Sequence, residues 1–260
     1  MLNDDDRARA AQLLIEAERT CQPTTQLDEA FPGIEIADAY DIQKRIIDQK
    51  LAAGARLRGH KIGLTSRTMQ RSVNIDEPDY GHLLDTMFHQ DGDTISTQRM
   101  IVPRVEVELA FVLGKPLRGP DVTLFDVLAA TDYVVPALEL LDGRSKYPRR
   151  IVDNIADNAA CAGIVLGGRP VKPMDIDLRW VGALLLKNGV IEESGVSAAV
   201  LGHPALGVAW LANKLAEHDT GLQAGHVVLA GSFTRMVAVE AGDTLHADYG
   251  PLGSISVHFS

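Results

Sequence analysis

Two glutamates one residue apart lie in the apolar stretch Arg104-Val105-Glu106-Val107-Glu108-Leu109, and a third, Glu139, lies in a second apolar stretch at residues 134–141. Side chains of a β-strand alternate between its two faces, so Glu106 and Glu108 are expected on one face, roughly 6–7 Å apart at the backbone. The apolar residues between them are then expected in the core. Burying unpaired carboxylates costs several kcal/mol each, and a bound cation would offset that cost.

A glutamate pair of this kind is more often the solvated face of a half-buried sheet than a metal site. Two observations favour burial. The same face continues after Glu108 with Ala110 and Val112, and Glu139 interrupts a continuously apolar run. Three carboxylates without a thiolate suit a hard divalent cation that keeps open water positions. The sequence therefore predicts a divalent-metal site at Glu106, Glu108 and Glu139.

A lysine and an aspartate could act beside such a site. Lys61 lies in a stretch, residues 59–64, that is otherwise mostly apolar or glycine, and a lysine near a bound cation could pair with a carboxylate or transfer a proton. An ordinary surface lysine is the alternative. Asp79 lies in the segment Glu77-Pro78-Asp79-Tyr80-Gly81, which is predicted to be a turn-rich loop, where aspartate is common for structural reasons alone.

Other polar residues are weaker candidates for contacting a substrate. Thr65 and Ser66 could cap a short helix whose N–H groups receive a carboxylate. Asp157 is expected in a loop with local side-chain to backbone bonds. The segment Gly231-Ser232-Phe233-Thr234-Arg235 supplies small donors, and Arg235 is either a surface residue or an anion clamp.

The composition narrows the function classes. The 260 residues are 46% hydrophobic, enough for a substantial core, and 35 acidic against 25 basic residues give a formal net charge of −10. This charge disfavours nucleic acid and anionic membranes as partners. No apolar run approaches the ~20 residues that span a bilayer. The acidic N-terminus and the two unpatterned cysteines, Cys21 and Cys161, lead us to expect a cytoplasmic protein.

The elements that must position these residues fall into two parts. Helices are predicted from residue 3 to about 20, with Asn3 as the cap and Leu13 and Leu14 in an apolar stripe, and over residues 36–53. From residue 58 onward the pattern changes to short strands. An Asn188-Gly189 hairpin is expected to join strands at 179–187 and 190–193, and four strands are predicted near the C-terminus. Further helices are predicted near residues 66–73, 123–131 and 204–217, with Leu206 on or near the apolar stripe of the last. We expect an α+β, mainly β fold, with a helical cap at 1–57 and a catalytic domain at 58–260.

The motifs that carry these residues, together with Pro136-Ala137-Leu138-Glu139 and Ala156-Asp157-Asn158-Ala159, resemble the hydratase/decarboxylase branch of the fumarylacetoacetate hydrolase superfamily over nearly the whole chain. The resemblance implies a mixed β barrel or roll with a helical N-terminal cap. It also implies Mg²⁺ or Mn²⁺ on Glu106, Glu108 and Glu139, with Lys61 and Asp79 as catalytic residues. Substrate contacts are expected from Leu64, Thr65, Arg144, Asp157, Ser232, Thr234 and Arg235.

The activity implied by the resemblance is metal-dependent hydration of a 2-hydroxy-2,4-dienoate or 2-oxo-enoate in aromatic meta-cleavage catabolism. The seven-carbon dicarboxylate 2-oxohept-4-ene-1,7-dioate is the expected substrate. Decarboxylation of 2-oxo-3-hexenedioate (4-oxalocrotonate) and hydration of 2-hydroxypentadienoate remain alternatives. A carbon–carbon hydrolase would need a histidine–glutamate pair in a lid, which the sequence does not identify. A homo-oligomer, a pentamer or a decamer, and association with a neighbouring pathway enzyme are also expected.

One segment departs from the pattern expected of a dicarboxylate hydratase. Residues 143–148, Gly-Arg-Ser-Lys-Tyr-Pro, form a shorter stretch after Glu139 than that pattern predicts. The departure concerns substrate length rather than the metal site. A distal carboxylate in so acidic a protein needs local cations, and we expect Arg144, Lys146 or Arg235 to supply one.

Overall fold

The computed structural model describes the backbone of residues 1–260 and every side chain except that of residue 72. The helices are α1 (Asp4–Thr20), α2 (Leu27–Ala30), α3 (Ile36–Ala52), α4 (Arg67–Ser72), α5 (Leu124–Ala130), α6 (Ile151–Ala156) and α7 (Pro204–Ala216). None of the helices in the described chain is both long and apolar enough to cross a membrane.

The N-terminal helices begin where the sequence predicts. The Asn3 side chain accepts a hydrogen bond from the Asp6 N–H, and three aspartates occupy the first turn of α1, where the helix dipole favours negative charge. Helices α1 and α3 bury an apolar cluster against α6 through residues such as Leu14, Ile42 and Ile155. Leu13 was expected in this stripe but is 38% exposed, because it lies one position outside the buried face.

The strands follow from residue 57 to the C-terminus. They are β1 (Leu57–Gly63), β2 (Asp79–Leu84), β3 (Phe88–Gln90), β4 (Thr94–Ile95), β5 (Arg104–Leu113), β6 (Thr131–Leu141), β7 (Cys161–Leu166), β8 (Gly182–Lys187), β9 (Val190–Val196), β10 (Val227–Leu229), β11 (Val237–Ala238), β12 (Thr244–Asp248) and β13 (Ser254–Phe259). The mixed α+β class with helices at the N-terminus is confirmed.

The strands form two sheets. The larger has the order β2-β1-β10-β5-β6-β7-β3, with β11 beside β5, and the smaller has the order β4-β13-β12-β8-β9. Parallel pairing of β1 with β10 and antiparallel pairing of β5 with β6 make the larger sheet mixed. This sheet curls, so side chains on its concave face meet although their strands are not neighbours.

The main core lies on the other, convex face of the larger sheet. Val105, Val107 and Leu109 of β5 are at most 1% exposed and belong to one cluster with Leu245 and Val257 of the smaller sheet. Helix α7 adds several of its apolar residues to the same cluster. The period-two alternation of β5 therefore divides it into an apolar face and a face that carries Glu106 and Glu108, as predicted.

Several local expectations are corrected. Asp79 begins β2 instead of lying in a loop, because residues 79–84 pair with β1. Strand β8 begins at Gly182 rather than at 179, after a short 3₁₀ turn at Leu178–Trp180. Leu206 of α7 is 38% exposed rather than packed inward. The division into a domain at 1–57 and one at 58–260 stays a prediction.

Candidate metal centre and active site

The three predicted glutamates meet on the concave face of the larger sheet. Glu106 of β5 lies directly opposite Glu139 of β6 in the antiparallel register, and Glu108 follows two residues later on the same face. One carboxylate oxygen from each lies within 4.8 Å of the other two. Strand pairing thus brings Glu139 next to two glutamates that precede it by more than thirty residues in the sequence.

The surroundings of this cluster leave its oxygens without sufficient partners. Glu108 and Glu139 are 0% exposed. Glu108 Oε2 accepts the Gly231 N–H at 2.8 Å, but Glu108 Oε1 and Glu139 Oε2 have no hydrogen-bond donor among the described side chains and backbone. Glu139 Oε1 accepts no hydrogen bond there either and meets only the ammonium of Lys61, as an ion pair. Buried, unsatisfied carboxylate oxygens cost free energy unless a cation is bound. The donor set is all oxygen and therefore fits a hard divalent cation.

The negative charges of the three carboxylates repel one another. Burial, followed by repulsion from Glu139, raises the pKa of Glu106 to about 8, although Lys61 opposes this shift. Burial and the two neighbouring glutamates raise the pKa of Glu108 well above its usual range. Such shifts are typical of functional sites that bring several carboxylates together away from water.

Lys61 of β1 places a positive charge beside these carboxylates. It is 3% exposed, so the surface-lysine alternative is wrong, and its Nζ lies 3.1 Å from Glu139 Oε1. Burial alone would disfavour the ammonium, but Glu139 and Asp79 more than compensate and raise the pKa of Lys61 above its ordinary value. Lys61 is therefore a charged group at the edge of the carboxylate cluster.

Asp79 lies on the neighbouring strand, fully buried, within the field of Lys61. Asn154 Nδ2 donates to Asp79 Oδ2 at 2.7 Å, while Oδ1 has no hydrogen-bond partner among the described residues. Burial raises the pKa of Asp79, and Lys61 opposes the rise. A side chain at Gly63 would place its Cβ 2.1 Å from Asp79 Oδ1, so glycine is needed for this approach. Both Lys61 and Asp79 reach the same cavity as Glu106.

This cavity has a volume of about 790 Å³. Lys61, Asp79 and Glu106 line it together with four of the predicted substrate-contact residues, Leu64, Thr65, Ser232 and Thr234. Leu64 has a positive φ of 54°, an uncommon conformation for a residue with a branched side chain. Gly231 packs so closely on Thr65 that a Cβ would lie 2.3 Å from the Thr65 hydroxyl. The turn around residue 231 therefore touches both the metal cluster and the cavity wall.

Two of the predicted contact residues lie elsewhere. Arg144 and Asp157 do not line the cavity, because they pair with each other at 3.4 Å behind it. Arg144 also donates to the Asp142 carbonyl, and Asp157 accepts from the Arg144 N–H at 2.8 Å. Arg144 is 7% exposed and its charge is already balanced. The pair anchors the segment after β6, so the expectation of direct substrate contact is corrected for both residues.

The remaining predicted cations lie at the rim or outside. Arg235 lines the cavity, but its side chain is 86% exposed and pairs with Glu193 at 2.8 Å. Lys146 is exposed and is not part of the lining. Sequence reasoning missed Asn154 and the lining residues Arg104, Tyr147 and Arg149. Arg104 could have been found, since period-two alternation places it on the face of Glu106.

Comparisons with known proteins identify the family of the chain. The model of the fumarylacetoacetate (FAA) hydrolase C-terminal family matches residues 58–260. The chain belongs to this family. It is 58% identical over 256 residues to 2-oxo-hept-4-ene-1,7-dioate hydratase of Escherichia coli, with 96% of each chain covered. It is 37% identical to 4-oxalocrotonate decarboxylase of Pseudomonas sp. (strain CF600), with 99% of this chain and 98% of that protein covered.

Solved structures of family members extend the likeness to three dimensions. A 4-oxalocrotonate decarboxylase from Pseudomonas putida G7, complexed with magnesium and adipate, superposes with a TM-score of 0.97 at 36% identity and covers 100% of this chain and 99% of that one. A second structure of the same enzyme contains calcium and acetate and has a TM-score of 0.96. The predicted family and fold are therefore confirmed.

Proposed function

We propose that the protein is a divalent-metal-dependent hydratase that adds water to 2-oxohept-4-ene-1,7-dioate and forms 4-hydroxy-2-oxoheptane-1,7-dioate. The observation that carries this proposal is the convergence of three carboxylates, two of them fully buried, and a lysine–aspartate pair at a cavity of about 790 Å³. The 58% identity to the E. coli hydratase supports the choice of substrate. In this assignment the reaction belongs to the meta-cleavage catabolism of aromatic compounds.

Glu106, Glu108 and Glu139 would hold Mg²⁺ or Mn²⁺, which supplies Lewis-acid polarisation of the substrate's 2-oxo group when bound. Magnesium in the P. putida decarboxylase structure supports this choice of ion. The orphaned oxygens of Glu108 and Glu139 are the part of this chain that the cation would satisfy. The metal-ligand set remains a proposal for this chain.

The lysine and the aspartate handle protons in this proposal. Asp79 carries an oxygen that has no hydrogen-bond partner among the described residues, and its pKa is raised. Both features suit it to accept a proton from C3 of the substrate and to release it again. Lys61 holds its ammonium against Glu139 and donates a proton to C5, so that the double bond becomes conjugated with the 2-oxo group. The proton that Asp79 took from C3 then passes back to Lys61 and restores its ammonium. Water then adds its hydroxyl at C4 and its proton at C3, which balances the net reaction.

A decarboxylase of 2-oxo-3-hexenedioate is the second candidate. It is favoured by the TM-score of 0.97 to the P. putida decarboxylase and uses the same electron-withdrawing 2-oxo group. The hydratase of five-carbon 2-hydroxypentadienoate is a third, supported by 38% identity to a 2-keto-4-pentenoate hydratase of Paraburkholderia xenovorans. Greater identity to the E. coli enzyme favours the seven-carbon hydratase.

One assay separates these candidates. The purified protein with Mg²⁺ is incubated with the five-, six- and seven-carbon 2-hydroxydienoates, and the product masses are measured. Addition of water, a gain of about 18 mass units, to the seven-carbon compound is expected (metal-assisted hydration). Loss of CO₂ from the six-carbon compound as the fastest reaction would replace the proposal with the decarboxylase. Cytoplasmic location, a pentameric or decameric assembly and a neighbouring pathway enzyme are further parts of the proposal.

A further inference from the structure

One arginine that lines the cavity has no carboxylate partner among the described residues. Three of the four lining arginines have carboxylate partners: Arg149 with Asp157, Arg150 with Asp28 and Arg235 with Glu193, at 2.7, 2.7 and 2.8 Å. Arg104 forms no ion pair with any side chain that the structure describes. In a chain with a net charge of −10, an unpaired guanidinium on the wall of a cavity calls for an anionic ligand.

The local geometry of Arg104 leaves its donors available. A guanidinium has five N–H donors. Nε of Arg104 is buried without a hydrogen-bond acceptor among the described residues, and Nη1 contacts only the Met236 sulfur, a weak acceptor, at 3.2 Å. The guanidinium carbon lies 5.1 Å from the centre of the Tyr147 ring. Stacking on an aromatic ring orients a guanidinium without using its N–H groups.

We propose that Arg104 binds the distal carboxylate of the substrate and thereby selects the dicarboxylate, an inference that rests on the proposed function. Arg104 lies on the concave face of β5 two residues before Glu106, roughly 7 Å along the strand. Six carbon–carbon bonds of about 1.5 Å separate the two carboxyl carbons of a seven-carbon dioate, which spans roughly 7–8 Å when extended. The substrate can therefore reach from the glutamate cluster to Arg104.

The other cations suit this role less well. Arg149 also faces the Tyr147 ring, at 6.0 Å, but donates to Asp157 and to the Asp153 carbonyl. Arg235 is mostly exposed to water, which screens its charge. Arg104 is thus the lining arginine that combines an oriented guanidinium with unused donors. This replaces Arg144, Lys146 and Arg235, the candidates expected from the sequence.

The test compares two substrates and two inhibitors in matched variants. Arg104→Gln removes the charge, Arg104→Lys keeps it without the planar fork, and Arg150→Gln removes a paired cation at the rim. For each protein, kcat/KM is measured on the seven-carbon dioate and on the five-carbon monoacid. Inhibition by adipate is compared with inhibition by hexanoate, which has the same number of carbons but one carboxylate. Thermal unfolding and metal binding show whether each variant is folded and loaded.

In Arg104→Gln, the ratio of kcat/KM on the seven-carbon dioate to kcat/KM on the five-carbon monoacid is expected to fall about 10–100-fold. This is the range for losing a charge-assisted hydrogen bond. The preference for adipate over hexanoate should fall with it, and Arg104→Lys should retain part of both. Arg150→Gln should keep the wild-type ratio. Equal losses on both substrates, or wild-type protein that binds adipate and hexanoate equally, would overturn the inference but not the hydratase. A wild-type protein that does not hydrate the dioate overturns the proposed function instead.

Discussion

The two faces of strand β5 differ in chemistry, because alternating residues place apolar side chains on one face and carboxylates on the other. On the convex face Val105, Val107 and Leu109 are buried against the smaller sheet, and their removal from water stabilises the fold. On the concave face Glu106 and Glu108 lie against Glu139 and Lys61, and buried oxygens of Glu108 and Glu139 accept no hydrogen bond from the described residues. Burial on the second face opposes folding unless a cation is bound.

The difference explains why equal burial does not mean equal roles. Glu108 and Leu109 are neighbours with exposures of 0% and 1%. Truncating the leucine removes packing that the fold requires, whereas neutralising the glutamate removes a charge that folding does not require and that the proposed metal site does. Adjacent residues should therefore separate stability from function.

The largest effect is expected from Glu108→Gln. The variant should lose turnover to background and lose most of its affinity for Mg²⁺ in calorimetry, because one of three ligands is no longer anionic. The unfolding midpoint of the metal-free protein should not decrease, since burial and the neighbouring glutamates disfavour the charged form of Glu108 and raise its pKa. Unchanged metal affinity would show that Glu108 is not a ligand.

The next-largest effects are expected from Lys61→Met and Asp79→Asn. Each is expected to reduce kcat by roughly 10²–10⁴-fold, the usual contribution of positioned acid–base groups. Because the metal ligands are unaltered, metal binding should remain measurable in both variants, and a matched control, Lys115→Met, alters an exposed lysine. Normal turnover in Lys61→Met or Asp79→Asn would assign these residues a structural role only.

Leu109→Ala tests the opposite face of the same strand. It should lower the free energy of unfolding by roughly 2–5 kcal/mol, because the leucine is buried and a cavity remains. Denaturant unfolding of the metal-free protein measures this change, and calorimetry at a temperature where the variant is folded should give nearly wild-type metal affinity. A large loss of affinity with little loss of stability would contradict the division of β5 into two functions.

The smallest effect concerns His60 and His82, on the face of β1 and β2 opposite Lys61, with ring centres 5.0 Å apart. Burial lowers the pKa of His82 to about 4 and that of His60 well below its usual value. The unfolded chain binds protons at these histidines that the folded protein does not, so stability falls as the pH decreases from about 6.5 toward 4. His82 alone contributes roughly 2–3 kcal/mol.

Unfolding in urea at pH 7 and pH 5 measures this dependence. His82→Gln should reduce the change in unfolding free energy between pH 7 and pH 5. The same substitution at the exposed His218 should leave this pH dependence as it is in the wild type. A slope that is identical in His82→Gln and in the wild type would show that His82 titrates alike in the folded and unfolded states. His60 and Lys61 thus contrast as adjacent buried groups, one kept neutral by an apolar environment and one kept charged by carboxylates.

Local pattern was sufficient for much of the fold. Alternation predicted both faces of β5, capping chemistry predicted the start of α1 at Asn3, and Asn188-Gly189 predicted the turn between β8 and β9. Local pattern failed where pairing with a distant strand determines the secondary structure of a segment. Asp79 looked like a loop residue because its neighbours favour turns, and only pairing with β1 makes it part of a strand.

The sequence by itself determined which residue types are available and which of them share a face. It therefore grouped Glu106 with Glu108 and identified Lys61 and Asp79 as candidates for chemistry. Tertiary structure decided which charges are already neutralised. Arg144 and Asp157 cancel each other behind the cavity, whereas Arg104 lines it without a carboxylate partner among the described residues. The reason is that charge balance depends on distances across the curled sheet, and sequence spacing does not contain those distances.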